Sequence, residues 1–567
     1  MRRVIRWAAP LLLVLVVLLG IGVVGPLLDD PDTAEDPRPS ASEPAAAKRP
    51  AWREVPAGEL IDPQRMLKIA PATELGPGRY RRAMRSGAGD ISWTVTGDDG
   101  KPLTARDARQ TVSFPDQDDY TDASGVIAFR GGPWRIGGAY GASPLTHGSL
   151  EKVWEQQTSS SSALDATWAG AGWTGQPLIV NWPPATRAAM GTDGDDPEVI
   201  YPVLDGRIYR LRLADGSATK KPIDTGNAFK GTGAIDPRGY PLLFAGQGLP
   251  GAQPMSFLAV DLTSDDVIYR RPADPAAPRQ WLANDSSSLI DAASDTLVTA
   301  GENGVLYRIE LRTTMDKETG QPTIAPKTTR LVYRGARSSR YGIESSITAY
   351  RNLIWFTDND GHLLCVDIAT MQVLWARDIG DDSDATMPLE VSDDGLRIYT
   401  GNEVDARGTS GGPRVSNLRK IDALTGAVIW QRDVPVHYDP DSNGGLLGSP
   451  VIGSGDLEGT VIFNVARTTA PGAGTIYALD SETGRPRWTR ELEQYSWSTP
   501  TVVRDDEGRS VLLLGDVSGT MHVIDPTTGK DRSTLQLEGA IEASPAVYDD
   551  MVVVGSRGGV IYGLRLS

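Results

Sequence analysis

The stretch Tyr477-Ala-Leu-Asp-Ser-Glu-Thr-Gly-Arg-Pro-Arg-Trp488 reads as a strand, a tight turn and a returning strand. Tyr477 and Leu479 alternate with small or polar neighbours, which makes one face apolar. The Asp480 carboxylate is placed to close the turn by accepting from backbone N–H groups further on. Gly484 supplies the positive φ that such a turn needs. Trp488 begins the strand that comes back. The same words recur down the chain, so they describe an architecture and not a single site.

From about Gly170 onward the repeat has a period of roughly 40 to 57 residues, the spacing of a propeller or a solenoid. Gly-x-apolar-Tyr stands at Gly206–Tyr209, Gly304–Tyr307, Gly474–Tyr477 and Gly559–Tyr562. Asp followed by Thr-Gly stands at Asp422–Gly426, Asp480–Gly484 and Asp525–Gly529. Trp375, Trp430 and Trp488 each fall four residues past the glycine position. Ahead of the copies come Ser449-Pro450, Thr499-Pro500 and Ser544-Pro545, where proline costs no ladder bond. Apolar runs ending in glycine follow, such as Val511–Gly515 and Val552–Gly555. They suit strands buried on both faces.

Four strands per copy make one propeller blade. Copies lie near 172–225, 231–271, 283–334, 341–379, 384–434, 445–492, 495–537 and 541–566. The last lacks its tryptophan strand, and Leu150-Glu-Lys-Val-Trp154 near the front supplies one. Pairing the two ends closes a ring and removes open sheet edges. The expected fold is therefore all-β: an eight-bladed β-propeller of four-stranded blades over 147–567, with an N-terminal strand completing the last blade.

The chain has 567 residues and a net charge of −17. Such an acidic surface repels phosphate backbones and argues against nucleic acid as a partner. The single cysteine, Cys365, excludes an intramolecular disulfide and a cysteine-rich metal site. It sits in an apolar strand, as a small buried hydrophobe does. Arg2, Arg3 and Arg6 precede an uninterrupted apolar run over 7–28, and acidic residues follow it. Residues 1–6 then read as a basic cytoplasmic tail and 7–28 as one transmembrane helix. A cleaved signal peptide is the competing reading. Residues 29–59 read as a Pro/Ala-rich stalk and 60–146 as a lead-in segment.

The words Tyr-Ala-Leu-Asp-x-x-Thr-Gly-x-x-x-Trp resemble the pyrroloquinoline-quinone-like propeller repeat, over roughly 147–567. Phe129-Arg-Gly-Gly-Pro-Trp-Arg135 is similar to the Phe-Arg-Gly lead-in that often precedes the first blade in that superfamily. The superfamily includes quinoprotein alcohol dehydrogenases. It also includes non-enzymatic scaffolds, such as the propeller of the barrel-assembly-machine lipoprotein, and membrane-tethered sensor domains. The resemblance implies that Trp154, Trp375, Trp430 and Trp488 dock between neighbouring blades.

Many of the dehydrogenases stack their quinone on a disulfide between adjacent cysteines and bind Ca²⁺ through clustered acids. No segment here matches those motifs, and no haem motif stands out. His147, His362, His437 and His522 have neither metal-ligand spacing nor a nucleophile arranged around them. Asp358-Asn-Asp-Gly361 is shorter than a calcium loop and sits at a hairpin turn. In a propeller the first strand of each blade lines the channel. Trp173, Glu344, Trp497 and Glu542 then crowd one mouth, with Lys230 and Asn284 near them. Aromatic and carboxylate groups around a funnel suit a sugar, a peptide or a cation, and they equally suit simple channel packing. Long loops at 402–413 and 467–474 are further candidates for partner contact. The expectation is a membrane-anchored, extracytoplasmic, monomeric propeller that binds an envelope protein or small ligand. It has no catalytic residue, metal or cofactor. The alternative is a quinone-dependent dehydrogenase.

Overall fold

The computed structural model describes residues 49–567 except 86–88, 174, 193, 252, 336–338, 405–413, 440 and 441. Each repeat folds as an antiparallel meander whose strands grow more exposed with order. In one sheet Ser510–Gly515 is buried along its whole length, whereas the last strand, Asp531–Gln536, is largely exposed. The inner strands are covered on both faces by neighbouring sheets, which is why their sequences are continuously apolar. Leu150–Gln157 pairs with Val560–Leu566 (Leu150↔Leu566, Gln157↔Val560) and so joins the two ends of the ring.

The expectation of an eight-bladed ring of equal four-stranded blades behind a membrane helix is corrected here. Among the described residues, seven sheets have four to six strands and one further sheet has seven. The seven-stranded sheet is composite. The hairpin elements Thr73–Gly76, Arg79–Ala83 and Asp90–Thr96 extend it by pairing onto Lys327–Arg334. The lead-in thus covers what would be an exposed edge. Trp52, Val55 and Ile61 also pack with Tyr350, Leu353 and Trp355.

The expected transmembrane helix, 7–28, lies outside the described residues. Among those described, no helix is long and apolar enough to cross a membrane. The one α-helix there is Pro184–Met190, which at 1.5 Å per residue spans only about 10 Å. The described residues thus supply no membrane anchor, and the membrane as partner and the single-pass, extracytoplasmic placement find no support among them. Most of the 402–413 loop is likewise outside the described residues.

The recurring turn and tryptophan explain how sheets join. The Asp480 carboxylate accepts from Thr483 N–H (3.0 Å) and Thr483 Oγ1 (2.8 Å), and Gly484 has φ +68°. A hydrogen bond from Arg487 and those from Thr483 hold that carboxyl down at about 2. One extra residue in the outer strand makes a bulge beside each tryptophan: Cys365 faces Trp375, then Val366 faces Val373. The same slip occurs at Trp430, Trp488 and Trp154. A bulge re-aims the side chain next to it. Each indole then reaches the next sheet's turn. Trp154 donates to Leu213 O (2.8 Å), Trp375 to Ala423 O (3.1 Å), Trp430 to Ser481 O (2.9 Å) and Trp488 to Pro526 O (2.9 Å). The indole faces lie against Gly216, Gly426, Gly484 and Gly529, where an added Cβ would fall 2.6–2.8 Å from ring carbon. Glycine is required there twice over, by its φ and by the ring.

One end of the channel is filled by residues 127–138. Their carbonyls accept from the first strands of four sheets: Ile127 from Ile235, Pro133 from Ala349, Trp134 from Leu389 and Gly138 from Val547. Two arginines are buried in this plug. Arg135 donates to the carbonyls of Phe129, Ser287 and Ile347, and Arg130 to that of its partner Arg135. Burial pushes both guanidiniums down, to about 9 for Arg130 and about 10 for Arg135. The channel is consequently a cup, with Phe129 in its lining.

Candidate functional site

The open end of the cup collects the residues that precede the first strands. Trp173, Lys230, Glu344, Trp497 and Glu542 come together. The Lys230 ammonium stands 4.7 Å from the centre of the Trp173 ring. Trp173 and Trp497 have ring centres 6.0 Å apart, and Tyr495 continues the panel 5.5 Å from Trp497. The Glu542 carboxylate accepts from Trp173 N–H (3.2 Å) and faces Arg557 (3.5 Å). Trp173 itself has φ +56°, a costly conformation for a bulky residue. Asn284 does not join the cluster directly, because its amide donates to Ala300 O beneath it.

Asp285, the next residue after Asn284, joins the cluster instead. Lys230 Nζ lies 2.5 Å from Asp285, 3.5 Å from Glu302 and 3.7 Å from Glu344. Burial alone would lower the lysine, but the three carboxylates outweigh it and raise it well above its ordinary value. With Arg279 3.8 Å from Glu302, two cations face three carboxylates, two of them buried. Burial raises Asp285, and burial with Glu344 raises Glu302, so these two favour protonation.

A second acidic group adjoins the first. One carboxylate oxygen each from Asp382, Asp384 and Glu403 lies within 4.8 Å of the others, and the same holds for Asp285, Glu302 and Glu344. Burial, then Glu344, Glu403 and Asp382, push Asp384 well up. One buried oxygen of Asp384 has no hydrogen-bond partner. Glu403 is positioned by Asp384 N–H (3.1 Å) and by the Asn443 amide (2.7 Å), and Asp382 faces Arg340 at 3.7 Å. The free space at the centre is about 20 Å³, lined by Asp285, Glu344 and Asp384 among others. It holds a single water or ion. Beside it, a cavity of about 410 Å³ shares Glu344 and is bordered by Arg279, Arg340, Tyr341 and Asn359.

The sequence reading missed Asp285, Glu302, Asp382, Asp384 and Glu403. A signal was present for two of them. Glu302 and Glu403 fall one and two residues past the glycines Gly301 and Gly401, at the end of an inner strand that points to the mouth. Aligned on first strands alone, those ends went unread.

Comparison with known proteins supports the architecture. Residues 414–507 and 472–566 match the family described as outer membrane protein assembly factor BamB, which is less than half of the chain. No curated protein matches the sequence. BamB from Moraxella catarrhalis is 16% identical, covering 72% of this chain and 99% of its own, with a TM-score of 0.45. The quinohemoprotein alcohol dehydrogenase of Comamonas testosteroni is 11% identical, covering 78% and 80%, with a TM-score of 0.51. Alcohol dehydrogenase ADHIIG of Pseudomonas putida HK5 is 10% identical over the same shares, with a TM-score of 0.48. At such identities the likeness is one of fold. The expectation of a membrane-anchored scaffold without catalytic capacity does not stand. Two groups of largely buried carboxylates that could hold a metal ion stand at the mouth.

Proposed function

We propose that the mouth is a divalent-cation centre, and that the chain uses it to bind and activate a small polar molecule. The observation that carries this is the ion-sized space of about 20 Å³ ringed by carboxylates from both acidic groups. Oxygen-only ligands select hard cations such as Ca²⁺ or Mg²⁺. Lys230 neutralises part of the first group, so Asp382, Asp384 and Glu403 are the better ligand set. A cation there would relieve Asp384, whose buried oxygen lacks a hydrogen-bond partner. The adjoining 410 Å³ cavity is of a size for a small ligand. A cation at its edge would polarise a ligand oxygen, and the Trp173–Trp497 panel would exclude water on one side.

The fold likeness favours a second reading, alcohol oxidation with a bound quinone. The mouth as described does not fit that group. A tricyclic quinone bearing carboxylates needs far more than 20 Å³, it would meet carboxylates, and Cys365 has no adjacent cysteine to form a stacking disulfide. No step is therefore assigned to it.

Terbium titration tests the centre, because nearby tryptophans sensitise its luminescence. Wild-type protein should give a saturable signal that Ca²⁺ displaces, and Asp384→Asn with Glu403→Gln should weaken binding at least tenfold. Equal binding by that variant would place the cation elsewhere and end the proposal. Adding pyrroloquinoline quinone with a redox dye and small alcohols tests the second reading; tight binding with turnover would reinstate it.

A further inference from the structure

A second cavity, about 640 Å³, lies between the lead-in and the Asp367–Leu374 edge of the ring. Its lining combines apolar Ile61, Ile69 and Leu374 with the arginines Arg82, Arg106 and Arg109. Arg82 is half-buried and donates only to backbone carbonyls, Val373 O (3.0 Å) and Ala70 O (2.8 Å). Among the described residues, none of the three arginines has a carboxylate within ion-pair distance. The carboxylates that border the cavity are engaged or solvated, and Asp367 feels Arg109 only at longer range. Asp367 accepts from the Asn352 amide (2.7 Å), Ala369 N–H (3.1 Å) and Thr370 Oγ1. Asp62 accepts from Gln64 and Arg65 N–H (3.0 and 3.1 Å), and Glu74 lies on an exposed strand.

A partly desolvated guanidinium without a counter-ion is a standing cost that an anion relieves. Burial, then the neighbouring Arg85, lowers Arg82's hold on its proton, as expected of a cation lacking an acidic partner. We propose that this cavity binds a small amphipathic anion, its carboxylate or phosphate head on the arginines and its apolar body against Ile61, Ile69 and Leu374. The volume falls within the range of small-molecule sites. This site is separate from the mouth, and neither reading depends on the other.

Calorimetry on the full chain tests it with decanoate, decyl phosphate and decyltrimethylammonium, all below micelle formation. At least one anion should bind once per chain, and the two head groups tell a carboxylate from a phosphate ligand. The cation should give no saturable heat. Arg82→Gln should weaken anion binding at least tenfold, the loss of one charge-assisted hydrogen bond. If Arg82→Gln fails to fold, the exposed pair Arg106→Gln/Arg109→Gln carries the test, with unchanged thermal unfolding as the folding control. Absence of anion binding, equal binding of the cation, or full affinity in the surface pair would overturn the proposal.

Discussion

Gly529→Ala isolates the contact that the repeat exists to make. Gly529 has φ +75°, where a side chain costs about 1–2 kcal/mol from backbone sterics alone. A Cβ there would also lie 2.6 Å from Trp488 Cε3, 2.8 Å from Cζ3 and 3.0 Å from Cδ2. Ordinary contact needs about 3.5–4 Å, so the indole must retreat by roughly 1 Å. It cannot slide freely, because its N–H is tied to Pro526 O of the same turn at 2.9 Å. Overpacking of that kind costs about 1–3 kcal/mol, which makes the whole substitution about 2–5 kcal/mol. Gly508 is the control, with φ +78° and nothing within 4 Å of its Cβ position, so Gly508→Ala should cost only the backbone part. In a Trp488→Leu background Gly529→Ala should likewise fall to about 1–2 kcal/mol, leaving a coupling of about 1–3 kcal/mol. Urea unfolding followed by circular dichroism measures all four corners, provided the slope stays constant. Equal costs with and without the indole, or equal costs at Gly529 and Gly508, would mean that the stacked turn does not form in solution.

Three further outcomes follow from buried titratable groups. Lys230→Met strands Asp285, Glu302 and Glu344 without their ammonium and should cost about 3–5 kcal/mol near pH 7. Because Asp285 and Glu302 are raised in the folded state, the deficit should shrink as pH falls towards 5; a deficit independent of pH would contradict the arrangement. His522 bridges Asp516 (3.3 Å) and Asp531 (3.2 Å), and although burial lowers it, those hydrogen bonds raise it above 6.5. Its contribution is then complete below about pH 6.5 and lost as pH rises through the folded value. Asp531 is held down at about 2 and Asp516 is also lowered, so their share is present above about pH 4 and lost on acidification below it. The melting-temperature gap between wild type and His522→Gln should peak near pH 5–6, and a gap that widens towards pH 9 would refute the clamp. Cys365 is buried, and burial raises its thiol well above the ordinary value. It should react with a disulfide reagent only after unfolding, and rapid labelling of native protein would show that sheet to be open.

The ring was legible in the sequence because its joints are local words. Asp480, Thr483 and Gly484 make a turn by themselves, and the four residues from that glycine to Trp488 contain the bulge that aims the ring. The closing strand at Trp154 could be found for the same reason, as one half of a recurring pair. The plug was harder to see. Arg130 and Arg135 look like surface residues, and carbonyls far away in sequence, Pro500 for Arg130 and Ser287 and Ile347 for Arg135, help make their burial tolerable. The mouth was half legible. Residues ahead of the first strands converge by topology, so Trp173, Glu344 and Glu542 could be placed. Asp384 and Glu403 acquire meaning only when the end of one strand meets the beginning of the next.

That contrast says where the chain's individual chemistry resides. At the joints the tryptophan, glycine and aspartate are spent on one another: the indole covers the glycine, and the aspartate closes the turn. Such positions repeat at four joints because neighbouring sheets there need the same contact. At the mouth the symmetry breaks. Lys230 serves three carboxylates on one side, with Arg279 near Glu302, while three more crowd the other, where Arg340 faces Asp382. Packing alone does not favour two such groups of acids beside an ion-sized space that Asp285, Glu344 and Asp384 line, since apolar residues would fill it at lower electrostatic cost. A net charge of −17 further enriches cations near such a mouth. The physical case for a bound cation therefore rests on the places where the repeat departs from itself, and replacing Asp384 and Glu403 should stabilise the empty ring while abolishing cation binding. If the same replacements instead destabilise the ring with Ca²⁺ removed, the acids serve the fold and the mouth is packing.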